Sequence, residues 1–214
     1  LQKYSKMSIE ELYVKHVYNT IAKEFSDTRY RPWTCVEEFL DGVKEKSYIA
    51  DIGCGNGKNM QYRKDCYNYG CDFSKELVKI CNDQKLNVIE GDVLNIPYNL
   101  NNFDYTICIA VLHHLSTECK RKLAINELIR ITKPGGKILI LVWALEQEPD
   151  ARRQFINQEN YVDWRDKSKK LLGKRYYYVF KKHELEKLIL GNKRVKIVKS
   201  FYEKGNHGVI LEKV

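Results

Sequence analysis

A mostly parallel seven-stranded α/β sheet, with helices on both faces and an antiparallel hairpin at its C-terminal edge, is predicted by three observations in this 214-residue chain. Short apolar runs alternate with helical periodicity from residue 48 onward, the pattern of strands in a parallel sheet with helical crossovers. The first run feeds a loop with glycine at every second position, Asp51-Ile-Gly-Cys-Gly-Asn-Gly57. The last two runs, 194–202 and 207–213, are joined by Glu203-Lys-Gly-Asn206, a hairpin signal.

The elements follow in order. Val14, Val17, Tyr18, Ile21 and Phe25 form one apolar helical face. Residues 26–33 form an ordered loop, because Pro32 disfavours helix at Arg31. A strand at 48–52 is followed by a short helix after Gly57, a strand at 67–71, a helix at 74–82 capped by Ser74, and a strand at 87–90. A strand at 104–110 precedes a helix at 117–131, with Ser116 as N-cap and a stripe of Cys119, Leu123, Ala124, Leu128 and Ile131. Lys133-Pro-Gly-Gly136 stops that helix, and Ile138 to Trp143 follow as a central strand. A helix at 183–190 leads to the terminal hairpin. The charged, weakly periodic segment 148–173 is expected to be the least ordered. The whole reads as a single domain: residues 1–47 form a helical cap, 48–147 a cofactor-binding core, and 148–214 a basic segment with the hairpin.

Glycine adopts positive φ and lets ligand atoms approach the backbone closely, so Gly53, Gly55 and Gly57 read as a cofactor seat. A dinucleotide loop reads G-x-G-x-x-G and faces a pyrophosphate; here the third glycine arrives one residue early. That spacing points to a ligand without a pyrophosphate, S-adenosylmethionine being the common one. The antiparallel hairpin, which a dinucleotide dehydrogenase lacks, agrees. Together they predict the class I S-adenosylmethionine methyltransferase (Rossmann-like) fold.

Ligands in open α/β sheets sit beyond the carboxyl ends of the strands. Asp51 ends the first strand, near three exposed backbone N–H groups, where it can order the loop or meet the ammonium of the methionine part. Asp72 ends the second and can accept both ribose hydroxyls, since Ser74 already supplies the helix cap. Asp92, after the third, is placed for the adenine edge, with Val93 beside it. Ala110 opens Ala110-Val-Leu-His-His114 after the fourth strand, from which His113 is assigned to the pocket. Trp143 closes the fifth strand and can wall or stack on an acceptor base.

The net charge of +9 is unevenly placed. Residues 151–214 carry 17 Lys+Arg against 7 Asp+Glu, whereas residues 1–150 are nearly balanced. Pairs and runs such as Arg152-Arg153, Lys167-Ser-Lys-Lys170 and Lys174-Arg175 are interleaved with Phe155, Tyr161, Trp164 and Tyr176-Tyr-Tyr178. Such a mixture fits phosphate contact with bases stacking on aromatics, the style of a single-strand RNA binder. A solvated lysine-rich face is the plainer alternative. No apolar run reaches the length of a membrane span, and Leu1–Lys6 lack the apolar core of a signal peptide. Seven cysteines without a C-x-x-C pair read as buried hydrophobes in a reducing compartment rather than as disulfides or a metal site.

The chain resembles the eukaryotic S-adenosylmethionine-dependent methyltransferases that esterify 5-carboxymethyluridine at the tRNA wobble position. The resemblance rests on Val17-Tyr18-Asn19, Phe25-Ser-Asp-Thr-Arg29, Pro32-Trp33, the glycine loop through Lys58, Ile109 to His114, Pro134-Gly-Gly136, Val142-Trp-Ala-Leu-Glu-Gln147, Arg175-Tyr-Tyr177 and Gly205-Asn206. The glycine loop and Pro-Gly-Gly mark only the class, and the Ser-Asp-Thr-Arg, His-His and Trp-Ala-Leu-Glu-Gln elements are more specific. His207 stands where the family usually has Trp, and the linker before Arg175 is short. The resemblance implies 5-methoxycarbonylmethyluridine as product, with Arg29, His113 and Trp143 around the acceptor. The charge map places Lys169, Lys170 and Lys174 on the tRNA, and the resemblance adds Arg175, Tyr177 and Asn206. A small zinc-binding activator subunit pairing beside strand 87–90 and a cytoplasmic location, with the nucleus as a second compartment, are implied as well.

A carboxylate nucleophile, with a pKa of about 4, is ionised at neutral pH, so no general base is expected. Two other functions remain open: a quinone- or sterol-type small-molecule methyltransferase, and a non-catalytic RNA-binding subunit on the same fold.

Overall fold

A computed structural model describes residues 7–214; the expectation for Leu1–Lys6 lies outside the described residues. Among the described residues, nine strands form two sheets. The main sheet contains β1 (Tyr48–Ile52), β2 (Tyr67–Asp72), β3 (Val88–Glu90), β4 (Phe103–Ile109), β5 (Thr132–Trp143), β8 (Val195–Glu203) and β9 (Asn206–Lys213). Its order is β3-β2-β1-β4-β5-β9-β8, parallel through β5, with β9 antiparallel to both β5 and β8. The predicted architecture therefore holds. The terminal hairpin turns through Lys204 and Gly205, both at positive φ, as a two-residue loop matching strand twist requires.

The core explains why β5 is central. Ile138, Leu139, Ile140, Leu141 and Val142 have no exposed surface; each such burial is worth about 1.5–3 kcal/mol relative to exposure. One face packs on α4 (Glu118–Ile131) and α5 (Glu184–Ile189), the other on α2 (Thr34–Asp41). The N-terminal helix α1 (His16–Ser26), entered through a π-helical turn at Glu11–Lys15, lies across the strand ends. Burial works to raise the Glu10 carboxyl, but bonds from Lys120 and Ser116 outweigh it and bring it down to about 2. That buried pair ties the helix entrance to the start of α4.

Five local expectations need correction. Residues 58–65 form turns, not a helix after Gly57, because Asn59 is turned inward to Asp51 and Arg63 donates to the Leu40 and Val43 carbonyls. Thr117, not Ser116, caps α4, its hydroxyl accepting from Lys120 N–H; Ser116 is occupied by Glu10. Cys119 and Leu123 face solvent, and the buried stripe runs through Arg121, Ala124, Ile125, Leu128 and Ile129. Arg121 is tolerated there because it donates to the Leu115 carbonyl and lies 3.6 Å over the Tyr178 ring. Strand β5 starts at Thr132, carrying Pro134 across a register shift.

Finally, much of segment 148–173 is built into a second sheet. β6 (Glu159–Arg165) and β7 (Leu171–Tyr178) form an antiparallel ribbon. It packs on the N-terminal helix through Tyr13 against Tyr161 at 4.8 Å and Phe25 against Trp164 at 6.2 Å. Gly173 lets β7 approach Val17, where a Cβ would lie 2.9 Å from a methyl carbon.

Candidate active site

The strand ends of β1, β2 and β4 open into a cleft roofed by α1 and walled by the β6–β7 ribbon. The glycine loop shapes one end. Gly53, Gly55 and Gly57 all sit at φ between +58° and +76°, so the loop needs glycine for its path. Its N–H groups are not free, contrary to expectation: Gly53 donates to the Cys71 carbonyl, Gly55 to Asp72 Oδ2 at 2.8 Å, and Gly57 to the Cys54 carbonyl. A compact loop satisfies its donors locally, since buried unpaired amides are costly. Gly53 and Gly55 line the cleft, and Gly57 instead packs inward, where a Cβ would overlap Leu86.

Asp72 ties the loop to the next helix. Its Oδ1 accepts from Ser74 N–H at 2.9 Å, while Ser74 Oγ caps α3 (Lys75–Asp83) at Leu77. Each Asp72 oxygen thus holds one backbone donor and keeps further acceptor capacity toward the cleft it lines. Burial pushes its pKa up to about 6. Asp51 is 1% exposed; Oδ2 accepts from Asn59 and Oδ1 has no partner among the described residues. Burial pushes Asp51 up to about 7, with Asn59 and the Lys58 charge pulling the other way. Asp92 forms an Asx turn to Leu94 N–H at 2.9 Å and lines the cleft beside Val93. Ala110, also lining it, holds φ +62°, a strained backbone costing about 1 kcal/mol or more, pinned by its N–H to the Leu141 carbonyl.

The other end is aromatic and cationic. His113, Trp143, Tyr177 and Arg175 meet there, with Arg29 at the rim. Tyr177 stacks on Trp143 at 4.5 Å and 18° and contacts both histidines. Trp143 N–H donates to His113 Nδ1 at 3.1 Å, which leaves the proton of the neutral ring on Nε2. His114 has the opposite tautomer: Nδ1 donates to the Tyr176 carbonyl at 2.7 Å, and Nε2 accepts from Tyr18 Oη at 3.1 Å. Burial holds both rings neutral, His113 well below its usual value and His114 at about 3, with repulsion from Arg175 adding to each.

Arg175 is only 3% exposed and forms no ion pair among the described residues. Its guanidinium sits 4.7 Å over Trp164 and 5.2 Å from the Tyr177 ring centre, reaches Tyr18 Oη only at 3.5 Å, and its Nε has no partner. A buried charge without an anionic neighbour costs several kcal/mol, so an anionic group that reached this guanidinium would be favoured there.

Arg29 is half-buried, donating to Thr28 and stacked 4.8 Å over Phe25. Lys169, Lys170 and Lys174 are exposed on the ribbon and line no part of the cleft; Asn206 sits at the hairpin turn, bonded to the Glu203 and Lys204 carbonyls. Sequence reasoning missed Tyr18 and His114 as site-builders. Tyr18 was hidden inside a helical apolar stripe, and only the tertiary fold brings it to a histidine 96 positions away.

The residues fit an S-adenosylmethionine-like ligand: an orphan Asp51 oxygen, Asp72 and Asp92 at strand ends, and glycine where the ligand approaches.

Residues 50–140 match the family model described as a methyltransferase domain. The tRNA (carboxymethyluridine(34)-5-O)-methyltransferase of Schizosaccharomyces pombe is 38% identical over 229 residues, 97% of this chain and 99% of that protein. The Arabidopsis thaliana protein of the same name is 50% identical over 144 residues, 67% of this chain but 36% of that protein's length. The chain thus spans about a third of one relative and nearly all of another. In a solved complex of the Haloferax volcanii Trm112 methyltransferase activator with a putative methyltransferase, the fold matches with a TM-score of 0.65 at 14% identity, over 96% of this chain and 97% of that one. On its match to the full length of the Schizosaccharomyces pombe protein, the chain belongs to the tRNA (carboxymethyluridine(34)-5-O)-methyltransferase family.

Proposed function

We propose that the chain methylates the carboxymethyl group of 5-carboxymethyluridine at the tRNA wobble position, giving the methyl ester. The observation that carries this reading is Arg175, a buried guanidinium without a counter-ion in an aromatic-walled cleft next to the glycine loop. S-adenosylmethionine, when bound, supplies the methyl group. The residues to hold it are Asp51, Gly53, Gly55, Asp72, Asp92, Val93 and Ala110. Gly57 contributes by shaping the loop.

Arg175 takes the acceptor carboxylate in its planar fork and fixes one oxygen toward the donor. The carboxylate is ionised already, so no residue has to remove a proton; His113 and His114, held neutral, position and exclude water instead. Trp143 and Tyr177 form the wall against which the base lies. Arg29, at the rim, takes an adjacent phosphate. Lys169, Lys170, Lys174 and the Asn206 turn, outside the cleft, meet more distant parts of the tRNA.

A zinc-binding activator beside β3 belongs to this reading. β3 is a three-residue edge strand with no outer partner among the described residues, and the Haloferax volcanii complex, in which a methyltransferase of this fold is bound to an activator, supports an activator partner. A cytoplasmic location, with the nucleus as a second compartment, completes it. No helix among the described residues is long and apolar enough to cross a membrane.

The test is incubation with labelled methyl donor and tRNA carrying the free carboxymethyl group, with and without the activator, followed by nucleoside analysis. Label in methoxycarbonylmethyluridine is expected. Label confined to small-molecule quinone or sterol acceptors, or to no acceptor, rejects the reading.

A further inference from the structure

A second concavity, about 750 Å³, adjoins the cleft and shares Arg29, Trp33, Trp143 and Arg175 with it. This size lies within the ~300–1,000 Å³ usual for ligand-sized sites. From Trp143 it runs outward past Phe155, 6.0 Å from that indole, to Arg152 and Arg153, with the hairpin turn at Lys204–Gly205 on the opposite bank.

Its charge is one-sided. Arg29, Arg152, Arg153 and Arg175 line it, and none forms an ion pair among the described residues. The two carboxylates present are engaged: Glu37 forms a two-pronged bond to Arg31, and Glu203 accepts from Cys35 N–H at 3.4 Å. Arg153 is crowded enough that burial and its neighbour Arg175 depress its pKa. Like charges converging beside four aromatic residues, Trp33, Trp143, Phe155 and Trp164, match the chemistry of a single strand: phosphates for the guanidiniums, bases for the rings.

We propose that this outer groove is an RNA-strand site, in which Arg152 and Arg153 grip the phosphates next to the acceptor nucleotide and Phe155 supports a neighbouring base. The inference rests on the tRNA reading above and deepens it. It relocates the main phosphate contact from the exposed lysines of the ribbon to the groove. Lysines 169, 170 and 174 are exposed on the ribbon and line no part of the groove, whereas the exposed Arg152 and the half-buried Arg153 line it beside the reaction cleft.

The experiment measures binding of a single-stranded RNA heptamer to the full chain by fluorescence anisotropy over a salt series. Arg152→Gln combined with Arg153→Gln is expected to weaken binding at least 10-fold and to flatten the slope of log affinity against log salt by about 1.4, two phosphates at about 0.7 each. S-adenosylmethionine affinity and the melting temperature are expected to stay at parental values. The unaltered chain serves as a second arm: single neutral methylphosphonates walked along the heptamer should weaken binding at one or two adjacent positions only. The inference is overturned by any of four results: parental slope in the double variant, uniform loss along the methylphosphonate walk, no heptamer binding by the parent, or equal competition by polyglutamate of the same charge. None of these readouts involves methyl transfer, so they separate this proposal from the nucleoside analysis that tests the activity.

Discussion

The two ends of the cleft are built by different means. The glycine-loop end uses backbone and carboxylates at the ends of consecutive parallel strands, and its key bonds join nearby positions: Asp72 to Ser74, Asp51 to Asn59, Gly55 to Asp72. The acceptor end uses side chains from distant elements, Tyr18 with His114 and Arg175 with Tyr18, the latter 157 positions apart. The first end is a property of the sheet. The second exists only because a helix and a two-stranded ribbon close over it, so changes at the two ends should separate in their effects.

The sharpest separation is expected from Arg175→Ala. If Arg175 holds the acceptor carboxylate as proposed, removing it should cost about 2–4 kcal/mol in kcat/KM for tRNA, roughly 30- to 1,000-fold, while S-adenosylmethionine affinity by calorimetry stays within a few-fold. A parallel loss of donor affinity would collapse the distinction between the two ends. Arg175→Lys should recover only part of the rate, because the fork is lost.

Gly53→Ala acts at the opposite end. It forces an alanine to φ +76° and drives its Cβ into Val111, which should destabilise the chain by about 1–3 kcal/mol and weaken donor binding in proportion. Thermal unfolding checks the first, calorimetry the second; a variant that melts with the parent and binds donor normally would show that the loop has another path.

The pH dependence should divide in the same way. With both histidines neutral from well below pH 6, kcat at saturating donor is expected to be flat from pH 6 to 8. A limb near 6.5 that disappears in His113→Ala would show histidine catalysis. Donor affinity should instead tighten as pH rises through about 7, because Asp51 ionises there and its carboxylate favours a cationic ligand; Asp51→Asn should remove that slope. The same raised pKa has a stability consequence of defined sign. The folded chain holds a proton that the unfolded chain releases near pH 4, so this contribution is present below pH 4 and lost as pH rises through 7. Asp51→Asn should therefore stabilise the ligand-free chain at pH 8.

The smallest effect is expected from Lys169→Gln with Lys170→Gln and Lys174→Gln: a modest loss of tRNA affinity at low salt that vanishes near physiological salt. A loss equal to that of the groove arginines would restore the ribbon lysines as the main contact.

The same contrast explains what could be read from the residues alone. The succession of parallel strands along the chain, the hairpin, the Ser74 cap and the strand-end aspartates follow from local patterns, and all appear in the fold. The β6–β7 ribbon was missed because its alternation pairs aromatics with charges rather than apolar with polar residues, and its packing partner is the N-terminal helix rather than the main sheet. The inward turn of Gly57 and the internal bonding of the loop amides depend on Leu86 and Cys71, which no local spacing reveals. His207 is another case: it pairs at 3.0 Å with Glu146, just past the end of β5, a contact that becomes visible only when β9 lies beside β5.

That no carboxylate of the described residues pairs with the buried Arg175 also bears on how the protein endures. A chain that keeps a desolvated cation waiting is at its least stable when vacant, and any anion that seats correctly adds its binding free energy to folding. On the proposed activity, resistance to heat and proteolysis should then rise when tRNA carrying the free carboxymethyl group is bound.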